Sequence, residues 1–172
     1  MPKDVQDLKN ELHRVTTTTL VYKPNSTKIS LGEPNFTYLI TKRAMHKLVM
    51  PGKWTIPGGG LHVSDYINTP PTTKAKQWYG ALEKSLRREI KEEVGLEIGK
   101  PEFLTDLTFI RPDGVPVICF SYFATFVGGE VKLDADTTDY AWVGLEEAKK
   151  YDLIDGIWGE IEMVDKIIRG RL

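Results

Sequence analysis

The sequence predicts an α/β fold, a mixed β-sheet sandwiched between α-helices. Short runs rich in β-branched and aromatic residues, separated by turn residues, read as strands. Two segments, Ala81–Val94 and Ile157–Arg169, carry apolar residues at helical spacing. The strands flank the first of these helices and pair mostly through hairpins, which favours one mixed sheet with helices against it. The 172 residues are 41% hydrophobic and 27% charged, which suits a single domain spanning residues 1–172 with a buried core and argues against a disordered chain.

Each element follows from local pattern. Val5, Leu8, Leu12 and Val15 recur at spacings of three and four, giving an amphipathic N-terminal helical extension over residues 1–14. It either packs on its own domain or forms a homodimer contact. Residues 16–22 are β-branched and read as a strand. Residues 23–34, rich in Pro, Asn, Ser and Gly, read as a loop. Phe36–Arg43 is a second strand, followed by dense Pro and Gly punctuation up to Gly60. Residues 65–76 hold two prolines and three threonines among few apolar residues, and read as a flexible segment. In Ala81–Val94, Leu82, Leu86, Ile90 and Val94 lie four apart, and Gly95 is placed to end the helix. Residues 103–110 and 117–127 form strands around the turn Pro112-Asp113-Gly114. Residues 140–143 make a short strand, residues 145–151 a short helix, and Ile157–Arg169 a last amphipathic helix.

Global composition excludes several functions. Lys plus Arg number 23 and Asp plus Glu 24, for a net charge of −1, so overall charge gives no support to nucleic-acid binding. Cys119 is the only cysteine, which excludes an intrachain disulfide and a paired-cysteine zinc site and fits a reducing compartment. The first residues lack the apolar run of a secretory signal. The longest weakly charged stretch, residues 115–129, is too short to span a bilayer as a helix. A cytoplasmic protein with no membrane partner is the expectation.

Local charge placement is more telling. In Arg88-Glu89-Ile90-Lys91-Glu92-Glu93-Val94-Gly95-Leu96, a rotation of about 100° per residue puts Glu89, Glu92 and Glu93 within roughly 100° of arc. Arg88 lies one turn before Glu92 and can pair with it. Like charges at Glu89 and Glu93 cost the helix about 0.2–0.5 kcal/mol, and both sit near its negative C-terminal end. A divalent cation would turn this repulsion into ligation; Mg²⁺ prefers oxygen and needs only one to three carboxylates, roughly, because it keeps waters. Taken alone, the run reads equally as a solvated charged face. The preceding Trp54-Thr55-Ile56-Pro57-Gly58-Gly59-Gly60 shifts the balance. Glycines let backbone approach a ligand or the helix closely, and their N–H and C=O groups can meet phosphate oxygens or a metal.

Together, Gly59 and Arg88-Glu89-Ile90-x-Glu92-Glu93-x-Gly95-Leu96 resemble the Nudix box of the Nudix hydrolases: Gly, five residues, Glu, seven residues, then Arg-Glu-U-x-Glu-Glu-x-Gly-U with U aliphatic. The second half matches at every fixed position. Residues 40–43 with 52–59, and Asp139-Tyr140-Ala141-Trp142-Val143 with Leu145-Glu146-Glu147, look like the strands and helix around the box in that family. Asp65 stands where the box has Glu, and fifteen extra residues within 66–80 separate the two halves. Within this insertion Tyr66, Trp78 and Tyr79 read as loop anchors, with nucleobase stacking the rival role.

The resemblance implies a Nudix fold and hydrolysis of a pyrophosphate bond in a nucleoside diphosphate linked to another moiety. A nucleoside triphosphate pyrophosphohydrolase is the first expectation, and an ADP-ribose or nucleotide-sugar pyrophosphatase the alternative. A non-catalytic nucleotide-sensing module is the rival from another class, set against retention of all three glutamates. The implied cofactor is Mg²⁺, with Mn²⁺ as a substitute, held by Glu89, Glu92, Glu93 and the Gly59 carbonyl. Arg88, Glu89 and Glu92 form the expected catalytic set, with Arg88 orienting a glutamate. Gly58, Gly59, Gly60 and Arg43 are the expected substrate contacts, although a surface arginine explains Arg43 equally well. A late-loop acid chosen among Glu130, Asp134, Asp136 and Asp139 would complete the site. His62, a lone histidine after the glycines, is assigned no role.

Overall fold

The computed structural model describes residues 12–25 and 35–171. Its centre is β1 (Arg14–Pro24), which pairs in parallel with β7 (Pro116–Gly128) over nine residue pairs, from Arg14↔Val117 to Tyr22↔Thr125. On its other side β1 pairs antiparallel with β2 (Phe36–Arg43) at one end and with β4 (Gly58–Gly60) at the other. Strand β2 also pairs with β3 (Trp54–Thr55) and β8 (Thr137–Val143). Strand β7 takes β5 (Glu97–Ile98) and β6 (Glu102–Ile110), the latter through the hairpin turned at Gly114. One parallel pair among antiparallel ones makes the sheet mixed, as expected.

Strand periodicity builds a core on each face. Successive side chains point to opposite sides of a sheet. Leu20, Tyr38, Ile40 and Phe123 therefore join one buried cluster, while their neighbours Val21, Leu39 and Ala124 join another. Among the described residues four helices follow in chain order: α1 (Ser64–Ile67), α2 (Ala81–Val94), α3 (Leu145–Ala148) and α4 (Ile157–Arg169). Helix α4 covers the first cluster with Ile157, Ile161, Val164 and Ile168. Helix α2 covers the second with Leu86, Ile90 and Val94. Two helices enclosing one sheet is the sandwich that the sequence predicts.

Four segments differ from the sequence reading. Val15 is not the end of a helix; it pairs with Ile118 inside β1, because the β-branched run that begins there extends the central ladder. Leu12 and His13 precede that strand without helical structure, and the rest of the N-terminal stripe lies outside the described residues, as do residues 26–34. The glycines at 58–60 are a strand and not a loop. A Cβ on Gly58 would stand 2.2 Å from the Thr17 carbonyl oxygen, so this close pairing excludes a side chain. Residues 65–76 are more ordered than their composition suggests. Helix α1 opens the segment, the Trp78 indole N–H donates to the Thr69 carbonyl at 2.8 Å, and the Tyr66 and Trp78 rings lie 5.4 Å apart. Both rings thus anchor the loop to itself. Strands β3 and β5, two residues each, carry no pattern long enough to read.

Ile161 is fully buried beneath the sheet. Ile161→Ala should cost about 2–5 kcal/mol through lost burial and the cavity left behind. Urea unfolding followed by tryptophan fluorescence measures this, and a change under about 1 kcal/mol contradicts the packing described.

Candidate active site

The site is built where β4 passes under α2. Ser85 Oγ donates to the Gly60 carbonyl at 3.3 Å and Arg88 Nη2 does so at 3.0 Å, tying the helix to the glycine strand. Helix α2 ends as its sequence predicts: Gly95 adopts φ 72° and its N–H meets the Lys91 carbonyl at 3.1 Å.

Arg88 is the hub. Its Nε reaches Asp65 Oδ1 at 2.5 Å and its Nη2 reaches Oδ2 at 3.1 Å. Its Nη1 donates to Glu89 Oε1 and to Glu92 Oε2, each at 2.9 Å. The pairing with Glu92 is the one expected from helical spacing. Asp65, on its shorter stem, is brought into reach by α1, and the His62 backbone N–H caps its Oδ2 at 2.8 Å. The Arg88 guanidinium holds the Asp65 carboxyl at about 2, well below the usual carboxylate range. Reciprocally, the Asp65 hydrogen bonds raise the arginine above its ordinary value.

Gly59 explains why a glycine stands opposite the helix. A Cβ there would lie 2.3 Å from Glu89 Cδ, so the space of its missing side chain is taken by the Glu89 carboxylate. Glu93 lies deeper. Its Oε2 accepts the Gly58 N–H at 2.8 Å and its Oε1 accepts the Thr137 hydroxyl at 3.1 Å. Burial pushes the Glu93 carboxyl up to about 7 despite these two bonds, with the nearby charges of Asp134 and Glu89 adding to the rise.

Glu89 and Glu93 line a cleft of about 200 Å³, together with Gly58, Gly59 and Gly60. Glu92 departs from the expected set: it is 60% exposed, bonds Arg88 and does not line the cleft. The late acids divide in the same way. Asp134 and Asp136 line the cleft, while Glu130 and Asp139 do not. Asp136 is held by His46 and Lys47, and Asp134 Oδ1 accepts the Asp136 N–H at 3.0 Å. Arg43 lines the cleft with its Nε fixed on the Val49 carbonyl at 2.8 Å. Burial lowers its pKa, and the charges of Glu93 and Asp136 oppose that. Arg14 and Lys47 complete the cationic side. Sequence reasoning missed both. Arg14 is visible only once β1 is registered against Gly60, and Lys47 sits in an irregular loop.

Among the described residues no cluster of three or more His, Cys, Asp or Glu is arranged to hold a metal ion. The donor set nonetheless fits a hard cation: it is all oxygen, and Glu93 is a buried carboxyl whose two hydrogen bonds come from neutral donors. A second, larger recess of about 470 Å³ opens from the same place, sharing Arg14, Arg43, Lys47 and the three glycines.

The family model for the NUDIX domain matches residues 22–162. The nucleoside triphosphatase NudI of Escherichia coli strain K12 is 32% identical over 127 residues, covering 67% of this chain and 79% of that protein. NudI of Klebsiella pneumoniae strain 342 is 31% identical over 126 residues, with the same coverage. In structure the chain is similar to the NUDIX domain of Shewanella oneidensis NrtR complexed with ADP ribose: TM-score 0.69, 16% identity, 97% of this chain and 94% of that one. It is also similar to a MutT protein from Methanosarcina mazei Go1: TM-score 0.63, 21% identity, 91% of this chain and 95% of that one. These structural likenesses establish the fold.

The acid side of stability tests the Asp65–Arg88 pair. An unfolded aspartate titrates near about 3.9, above its folded value of about 2. The ionised form is therefore favoured by folding, and the contribution is full above pH 4 or so and is lost as pH falls toward about 2. Asp65→Asn should unfold at lower urea than the parent at pH 7, and the gap should close between about pH 4 and pH 2. A gap that stays constant across that range contradicts the pairing.

Proposed function

Because this chain belongs to the Nudix family and is a hydrolase of nucleotide pyrophosphate bonds, we propose the finer assignment of an Mg²⁺-dependent nucleoside triphosphate pyrophosphohydrolase. One observation carries it: two carboxylates of one helix and a floor of three glycines share a cleft with Arg14, Arg43 and Lys47. Acid on one wall suits a cation, and base on the other suits phosphate oxygens. The similarity to NudI, named as a nucleoside triphosphatase, supports the triphosphate over the nucleotide-sugar alternative.

Members of the family generally need a divalent metal. Glu89 and Glu93 would hold it here, with the Gly59 carbonyl beside them, and Mn²⁺ would substitute for Mg²⁺. When bound, the ion supplies neutralisation of phosphate charge and acidification of water. The chain's own residues do the rest. Arg43 and Lys47 hold phosphate oxygens by charge-assisted hydrogen bonds. Glu89 Oε1 is fixed by Arg88, which leaves Oε2 as the oxygen that takes a proton from an attacking water. Arg88 and Glu92 act as positioning residues. The chain's place is the cytoplasm, where its nucleotide substrates are; among the described residues no helix is long and apolar enough to cross a membrane.

Two variants separate catalysis from folding. Glu93→Gln should lower kcat by about 10²-fold or more with Mg²⁺ present, because it removes a charge that only the loaded site uses. Parental rates for Glu93→Gln across a panel of nucleoside triphosphates, ADP-ribose and sugar nucleotides would overturn the assignment. Gly59→Ala meets the Glu89 carboxylate first, the end of a side chain and not backbone. Its urea midpoint should stay near the parent's while kcat falls by about tenfold or more, as the Glu89 carboxylate is displaced. Equal losses of stability and activity would show instead that the glycine serves folding.

A further inference from the structure

The larger recess has its own chemistry. It lies on the α4 side of the sheet, where β6 and β7 run past the start of that helix. Phe109 pairs with Val117 and Leu107 with Cys119, so these four side chains share the face. Phe109 is 41% exposed and Leu107 38%, an apolar wall of the size that a flat ring covers. The recess meets the glycine cleft at Arg14, Arg43 and Lys47. A group joined to a phosphate chain in the cleft would therefore reach this wall.

Within the recess Glu160 of α4 is a carboxyl to which no role has yet been given. Its Oε2 accepts a short hydrogen bond from the Ser121 hydroxyl. Ser121 in turn accepts from the Thr18 hydroxyl at 3.3 Å. With its own proton committed, Thr18 is left to accept from the Cys119 thiol at 3.7 Å. Every proton in this line runs toward Glu160, which makes the carboxylate its terminal acceptor. Among the described residues, Oε1 has no hydrogen-bond partner. Asp155, exposed, is the other acid of the lining.

We propose that this recess binds the base of the nucleotide and that Glu160, positioned by Ser121, selects a guanine edge. An acceptor-only carboxylate needs adjacent N–H donors. Guanine offers two, N1–H and the N2 amino group. Adenine and cytosine place a ring-nitrogen acceptor beside their amino group, and uracil flanks its N–H with two carbonyls; each of these turns a lone pair toward the carboxylate. The inference rests on the glycine cleft being the phosphate site, and its test does not require hydrolysis.

Calorimetric binding of GMP, AMP, CMP and UMP to the full chain reads the recess directly. The parent should bind GMP tightest, by about tenfold or more. Glu160→Gln keeps the volume and turns a donor toward the ligand, so it should reduce that preference to within about threefold. Ser121→Ala keeps the carboxylate but frees it, and should weaken the preference for GMP in particular; it decides the matter if the glutamine variant fails to fold. No preference for GMP in the parent, or an unchanged preference in both variants, overturns the inference. Hydrolysis of GTP and the other triphosphates is scored separately. A parent that cleaves none refutes the proposed activity while the monophosphate ranking still judges the recess. A parent that cleaves them without a GMP preference refutes the guanine assignment alone.

Discussion

The guanidinium of Arg88 is the constraint on which the site depends. It gathers a carboxylate from α1, two from its own helix and a carbonyl of β4, joining segments that the chain separates by the long 66–80 stretch. Its planar set of donors explains why arginine and not lysine stands here, since one ammonium cannot serve four acceptors spread over that arc. With Arg88 in place, Glu89 is fixed against Gly59. Without it, two glutamates of like charge and an aspartate with little access to solvent would be left to repel one another.

Burial divides the carboxylates of the region into different chemical types. Asp65 is kept ionised by its arginine, whereas Glu93 is driven toward protonation by its depth. The first is tied to a guanidinium, and the second is met only by neutral hydrogen-bond donors. A helix that carried both in water would titrate them together; it is the fold, through α1 on one side and Gly58 and Thr137 on the other, that separates them.

The sequence displayed most of this because the residues concerned act locally. The box helix, its glycine stop and the Arg88–Glu92 pair depend on spacing along one helix, which 3.6 residues per turn makes readable. The β2 strand and the last helix likewise have periods long enough to count. What was hidden depends on tertiary register. Arg14 reaches the site only because Thr16 lies opposite Gly60. Glu92 leaves the cleft because its partner Arg88 is drawn to Asp65, twenty-three residues earlier. The strand at Gly58–Gly60 has no side chains to betray its period, and the polar loop after it is ordered by an indole hydrogen bond and by hydroxyl and backbone bonds that composition does not disclose.

The parallel pairing of β1 with β7 joins segments about a hundred residues apart. On a ribosome, β1 therefore emerges long before its central partner exists, and its threonine-rich edge stays open while everything between is synthesised. The glycine strand can pair with β1 earlier, but the layer under α4 must wait for the C-terminal third of the chain. Assembly of this protein is thus gated by its latest-made elements. The nascent chain is most exposed to misassociation during synthesis of the very segment that includes α2.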